Sequence, residues 1–80
     1  MKPTIGRIVI YRTTAEDKDV MRVTGMQNVV AQLPAIVVNV WSDTCINVKV
    51  ILDGHGLDLW KSSINKGEGD GNWSWPVIER

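Results

Sequence analysis

Apolar and polar residues alternate in several short runs along this chain, and the runs are separated by clusters of turn residues. Residues 5–12 (IGRIVIYR) are rich in β-branched side chains, with Arg7, Val9 and Tyr11 on one side and Ile8 and Ile10 on the other. This period of two predicts a strand, and Gly6 near its start suits a bend or bulge. Residues 33–41 (LPAIVVNVW) predict a second strand, with Ile36, Val38 and Val40 on one face and Ala35, Val37, Asn39 and Trp41 on the other. Pro34 restricts it to a strand start or an edge. Ser42 and Asp43 are turn residues. Residues 44–52 (TCINVKVIL) resume the alternation, so 33–52 reads as an antiparallel hairpin. The glycines of 53–56 (DGHG) mark a loop, and 57–64 (LDLWKSSI) returns as a strand. The three glycines of 66–72 (KGEGDGN) mark a second loop. Trp73 to Trp75 then forms a short closing strand that Pro76 ends.

Residues 13–32 do not follow this pattern. Thr14 and Asp17 have the spacing of a helix cap, and Met26, Val29, Val30 and Leu33 fall at helical intervals, yet Gly25 interrupts them. The segment reads as a long excursion holding one short helix or a β-ribbon. The order is strand, long loop, hairpin, strand, short closing strand. It predicts an all-β fold, an SH3-like five-stranded barrel with a long loop after the first strand. An open antiparallel sheet of four strands is the alternative. No internal repeat or boundary divides the 80 residues, so 1–80 is expected to be a single small domain.

Nine basic residues balance nine acidic ones, a composition that gives no general attraction to nucleic acid or an acidic membrane. Residues 1–25 carry five basic and three acidic side chains, and residues 43–70 carry three and five, so any basic face is weak. Neutrality removes one barrier to self-association, and a homo-oligomer is expected. No apolar run is long enough to cross a bilayer as a helix, no signal peptide is evident, and Cys45 has no partner cysteine. A cytoplasmic protein is the expectation.

Chemistry-bearing constellations are sparse. His55 lies among Asp53 and Asp58, but a solvated turn explains that cluster better than a metal site. Cys45 and His55 lack an orienting third group. The carboxylates Asp43, Asp53, Asp58, Glu68 and Asp70 all fall in turns or exposed positions. The 66–72 glycines alternate with acids, which repel phosphate, so no phosphate loop is present. No enzyme, cofactor or metal is expected. Binding has more support, because the chain has four Trp, one Tyr and no Phe. An indole offers a broad apolar face with one donor, and suits either a small core or a stacking platform. Arg7, Tyr11, Arg12, Trp41, Asp43, Thr44, Trp60, Trp73 and Trp75 are the candidate ligand-binding set.

Residues 34–54 (PAIVVNVWSDTCINVKVILDG), Trp60, the ending GNWSWP (71–76) and the opening PTIGRIVIY (3–11) together resemble a family of small proteins encoded by bacteriophages and prophages. That resemblance implies a viral accessory protein and supplies no catalytic residues. The function expected from this setting is non-enzymatic capture of a nucleotide-type immune signal of the host. The alternative is an adaptor or inhibitor acting on a host protein.

Overall fold

The computed structural model describes residues 1–23, 29–53 and 58–77. Gly54, His55 and Gly56 of the expected 53–56 loop, Leu57 at the start of the expected strand, and the Gly25 and Met26 part of the excursion lie outside the described residues. Five strands and one helix follow in the order β1 (Ile8–Arg12), α1 (Ala15–Val23), β2 (Gln32–Val40), β3 (Cys45–Val50), β4 (Leu59–Asn65) and β5 (Trp73–Ser74). All neighbouring strands are antiparallel, in the spatial order β4-β3-β2-β1-β5. The sheet curls into a half-barrel, as expected for a small all-β barrel fold. At one end its two edges meet. Lys66, just beyond β4, bridges Trp73 of β5, and Gly67 N–H donates to the Trp73 carbonyl at 3.0 Å. The Thr44 carbonyl accepts both Lys66 N–H at 2.8 Å and the Trp73 indole at 3.0 Å.

One face of the sheet is the core. Val9 and Tyr11 of β1, Leu33, Ala35 and Val37 of β2, and Ile46, Val48 and Val50 of β3 are buried there. Ile64 and Trp73 complete the layer, and Met21 of α1 packs onto it. Removing these side chains from water is the main term favouring the fold.

Two bulges change which residues point inward. Val37 pairs with Val48 and Asn39 with Asn47, which leaves Val38 as an extra residue in β2. Past this point the alternation inverts. Val40 pairs with Ile46 and packs on the core, whereas the sequence pattern puts it with Ile36 and Val38. Trp41 moves the opposite way, from the expected face of Ala35 and Val37 to the outer one. The second bulge lies in β4, where Val48 faces Lys61 and Ile46 faces Ile64. Ser63 has φ of 53° there, a left-handed conformation uncommon for a residue with a side chain.

The excursion after β1 contains the helix. Thr14 caps it: the Asp17 amide donates to Thr14 Oγ1 at 3.1 Å, and the Thr14 amide donates back to Asp17 Oδ2 at 2.9 Å. This is a capping box with Asp in the usual Glu position. Glu16 and Asp17 in the first turn and Arg22 in the last suit the helix dipole. Thr13 is buried, and its hydroxyl donates to the Val30 carbonyl at 2.9 Å, which ties the returning chain to the departing one.

Asp17 also joins α1 to the sheet. Its carboxylate accepts a 2.5 Å hydrogen bond from the Tyr11 hydroxyl and forms an ion pair with Lys61, which pairs opposite the inward Val48. Burial raises the carboxyl pKa, but hydrogen bonds from Lys61, the Thr14 amide and Tyr11, together with the Lys61 charge, outweigh it and lower the pKa overall. The Tyr11 pKa is raised, first by burial and then by its bond to Asp17.

Asp17→Ala leaves three donors on three segments without their acceptor. It should cost about 3 kcal/mol in urea unfolding, a large share of what an 80-residue domain has. A folded-state pKa below 3.8 means that Asp17 stabilises the fold above that pH and that this stability is lost as pH falls through the folded value. Wild type should therefore lose stability more steeply in acid than Asp17→Asn. Parallel acid limbs would show that the carboxylate does not hold the helix.

Candidate functional site on the outer sheet face

The outer face carries apolar side chains interspersed with Arg12, Lys49 and Asn47. Cross-strand register aligns Ile8, Ile36, Lys49 and Trp60 in one row across four strands. The next row holds Ser74, Ile10 and Pro34, and the Ile51 amide donates to the Pro34 carbonyl. Ile8, Val38 and Ile51 are each more than a third exposed. Trp41 and Trp60 are 61% and 58% exposed, too much for rings whose role is to close the core.

Asn47 fixes one of these indoles. Its Oδ1 accepts Trp41 Nε1–H at 2.9 Å and the Ser63 amide at 2.7 Å. One buried amide oxygen therefore orients Trp41 and satisfies the β4 bulge. Lys49, the partner of Trp60, lies two residues further along β3, about 7 Å away. Both indoles consequently stand on the same side of the β2-β3-β4 meander.

The remaining predicted residues divide between the core and separate positions. Tyr11 and Trp73 are buried, with their polar atoms bonded to Asp17 and the Thr44 carbonyl. Trp75 is half-buried edge-on to Trp73, with centroids 5.3 Å apart, and the Arg7 guanidinium sits 5.5 Å over its ring. Arg7 and Trp75 border a cavity of about 180 Å³ with Met1, Ile8 and Pro76. Arg12 lines a separate cleft at the β1-β5 end. Asp43 is exposed in the β2-β3 turn, 4.0 Å from the Lys2 ammonium, and Thr44 contributes its backbone to barrel closure. Asn47, Lys49, Ile8 and Ile36 were not candidates from the sequence. The alternation puts Ile8 with Ile10 and Ile36 with Val38 without saying which side faces out, and the role of Asn47 appears only with the two bulges.

Comparison with family models, curated proteins and solved structures returns no match to this chain. Among the described residues no helix is long and apolar enough to cross a membrane.

The geometry separates the indoles into two classes. Trp60→Ala should change unfolding free energy by about 0.5 kcal/mol or less, and Trp73→Ala should cost about 3–5 kcal/mol. Asn47→Ala should cost about 2 kcal/mol by leaving the Ser63 amide unpaired, and it should also shift Trp41 fluorescence. Equal costs for Trp60 and Trp73 would contradict this assignment of faces.

Proposed function

We propose that this chain is a non-enzymatic binding module that docks a partner protein on its outer sheet face, with Trp41 and Trp60 as anchors. The observation that carries this reading is the pair of indoles, each more than half exposed, on one face. Trp is enriched among the residues that dominate binding energy at protein interfaces. The charges that the strands carry on this face, Arg12 and Lys49, are both basic. The partner they fit is an apolar surface bordered by carboxylates. In the phage setting that the sequence resemblance implies, such a partner is a host protein.

The partner approaches the face rather than the β4 edge. That edge has a bulge at Ser63 and turns Lys61 inward, and both features discourage another strand from pairing there. The most buried carboxylate, Asp17, is fully engaged by the helix cap, Tyr11 and Lys61. Capture of a nucleotide between Arg7 and Trp75 is less well supported, because their cavity of about 180 Å³ is below the roughly 300 Å³ at which ligand pockets begin.

A photo-crosslinking amino acid in place of Trp60 would capture the partner in the producing cell. The captured protein, once identified and purified, should bind Trp41→Ala/Trp60→Ala about a hundredfold more weakly than wild type. Unchanged affinity would refute the anchoring role. Crosslinks only to a second copy would make the face a dimer interface instead.

A further inference from the structure

A cleft of about 400 Å³ opens where β1, β2 and β5 meet the loop before β5. Its size is within the range of small-molecule sites. The polar residues Arg12, Gln32, Glu68, Asn72 and Ser74 line it. It shares Ile10, Arg12 and Ser74 with the outer face, but neither Trp41 nor Trp60 lines it.

The polar side chains here have no internal partners among the described residues. Arg12 and Glu68 make no ion pair among the described residues, and the side chains of Gln32, Asn72 and Ser74 make no hydrogen bond there. By contrast, the buried polar side chains Thr13, Asp17 and Asn47 are bonded within the fold. Arg12 is partly buried as a residue, and its guanidinium has no partner among the described residues, so its N–H groups are free to take a ligand.

The backbone that shapes the cleft is well held. Arg12 N–H donates to the Asn72 carbonyl at 3.0 Å, and Gly71 N–H donates to the Arg12 carbonyl at 2.7 Å. Gly71 has φ of +83°, which favours glycine. Gly67 gives the Asn72 side chain its room, because a Cβ at position 67 would stand 2.2 Å from Asn72 Nδ2.

We propose that this cleft binds a small ligand joining a phosphate group to hydrogen-bond donors. Arg12 takes the phosphate with its forked N–H groups, the geometry that suits such oxyanions. Ser74 and the amides of Gln32 and Asn72 add hydrogen bonds. Glu68 accepts the ligand's N–H or O–H donors and disfavours a bare, highly charged anion.

Isothermal titration with inorganic phosphate, ribose 5-phosphate, AMP and GMP tests this. GMP, whose base offers two adjacent N–H donors to a carboxylate, and ribose 5-phosphate should saturate and bind more tightly than inorganic phosphate. Arg12→Gln should weaken every arm about tenfold or more. Glu68→Gln should weaken the GMP and ribose 5-phosphate arms and leave inorganic phosphate unchanged or stronger. Both variants should keep the wild-type melting temperature, since neither side chain has an internal partner to lose. No saturation by any probe up to about 5 mM would overturn the proposal. So would binding that Arg12→Gln leaves within twofold of wild type.

Discussion

The Asp17 carboxylate is the interaction on which the arrangement of this domain depends. A chain of 80 residues builds a thin core, and one layer of sheet needs something to cover it. Helix α1 supplies the cover with Met21, but a nine-residue helix is not stable alone. Asp17 fixes it by accepting from the Thr14 amide, the Tyr11 hydroxyl and the Lys61 ammonium. One buried group thus joins the helix start, the interior strand β1 and the edge strand β4. Burying a carboxylate is costly without partners, and here every partner comes from a different segment. The contact forms only when helix, β1 and β4 are all in place, which makes it a condition on the whole fold.

The two bulges decide what is left outside. Inversion of the alternation at Val38 carries Val40 into the core and Trp41 out of it. The β4 bulge places both Lys61 and Ile64 inside while Trp60, before it, stays outside. Asn47 couples the two irregularities by accepting from Trp41 and Ser63 at once. The β2 bulge therefore leaves Trp41 in solvent on the face that regular alternation already gives to Trp60. The buried core and the exposed indoles lie on opposite sides of one sheet.

The strands were legible in the sequence because their alternation is strong and their turns are marked by Ser42, Asp43 and the glycines. The cap at Thr14 and Asp17 was legible too, since its spacing is local. The helix that follows was less so, because Gly25 and the valines argue against it and tertiary bonds through Asp17 decide the matter. Single inserted residues defeat period-two reading, so Trp41 looked like a partner of Ala35 and Val37. The candidate residues came from their chemistry alone. Tyr11 and Trp73 have that chemistry and spend it in the core, while Trp41 and Trp60 keep theirs exposed. Nothing in the composition separates these pairs; burial does.

The division of the indoles between faces is open to one direct test. Protein labelled with 5-fluorotryptophan gives one fluorine resonance per indole, and a soluble paramagnetic agent broadens each according to its exposure. The account predicts strong broadening at Trp41 and Trp60, intermediate broadening at Trp75 and little at Trp73. It also predicts that a bound partner protein shields Trp41 and Trp60 together. Strong broadening at Trp73, or a partner that leaves Trp41 and Trp60 as exposed as before, would contradict the assignment of the outer face as the working surface.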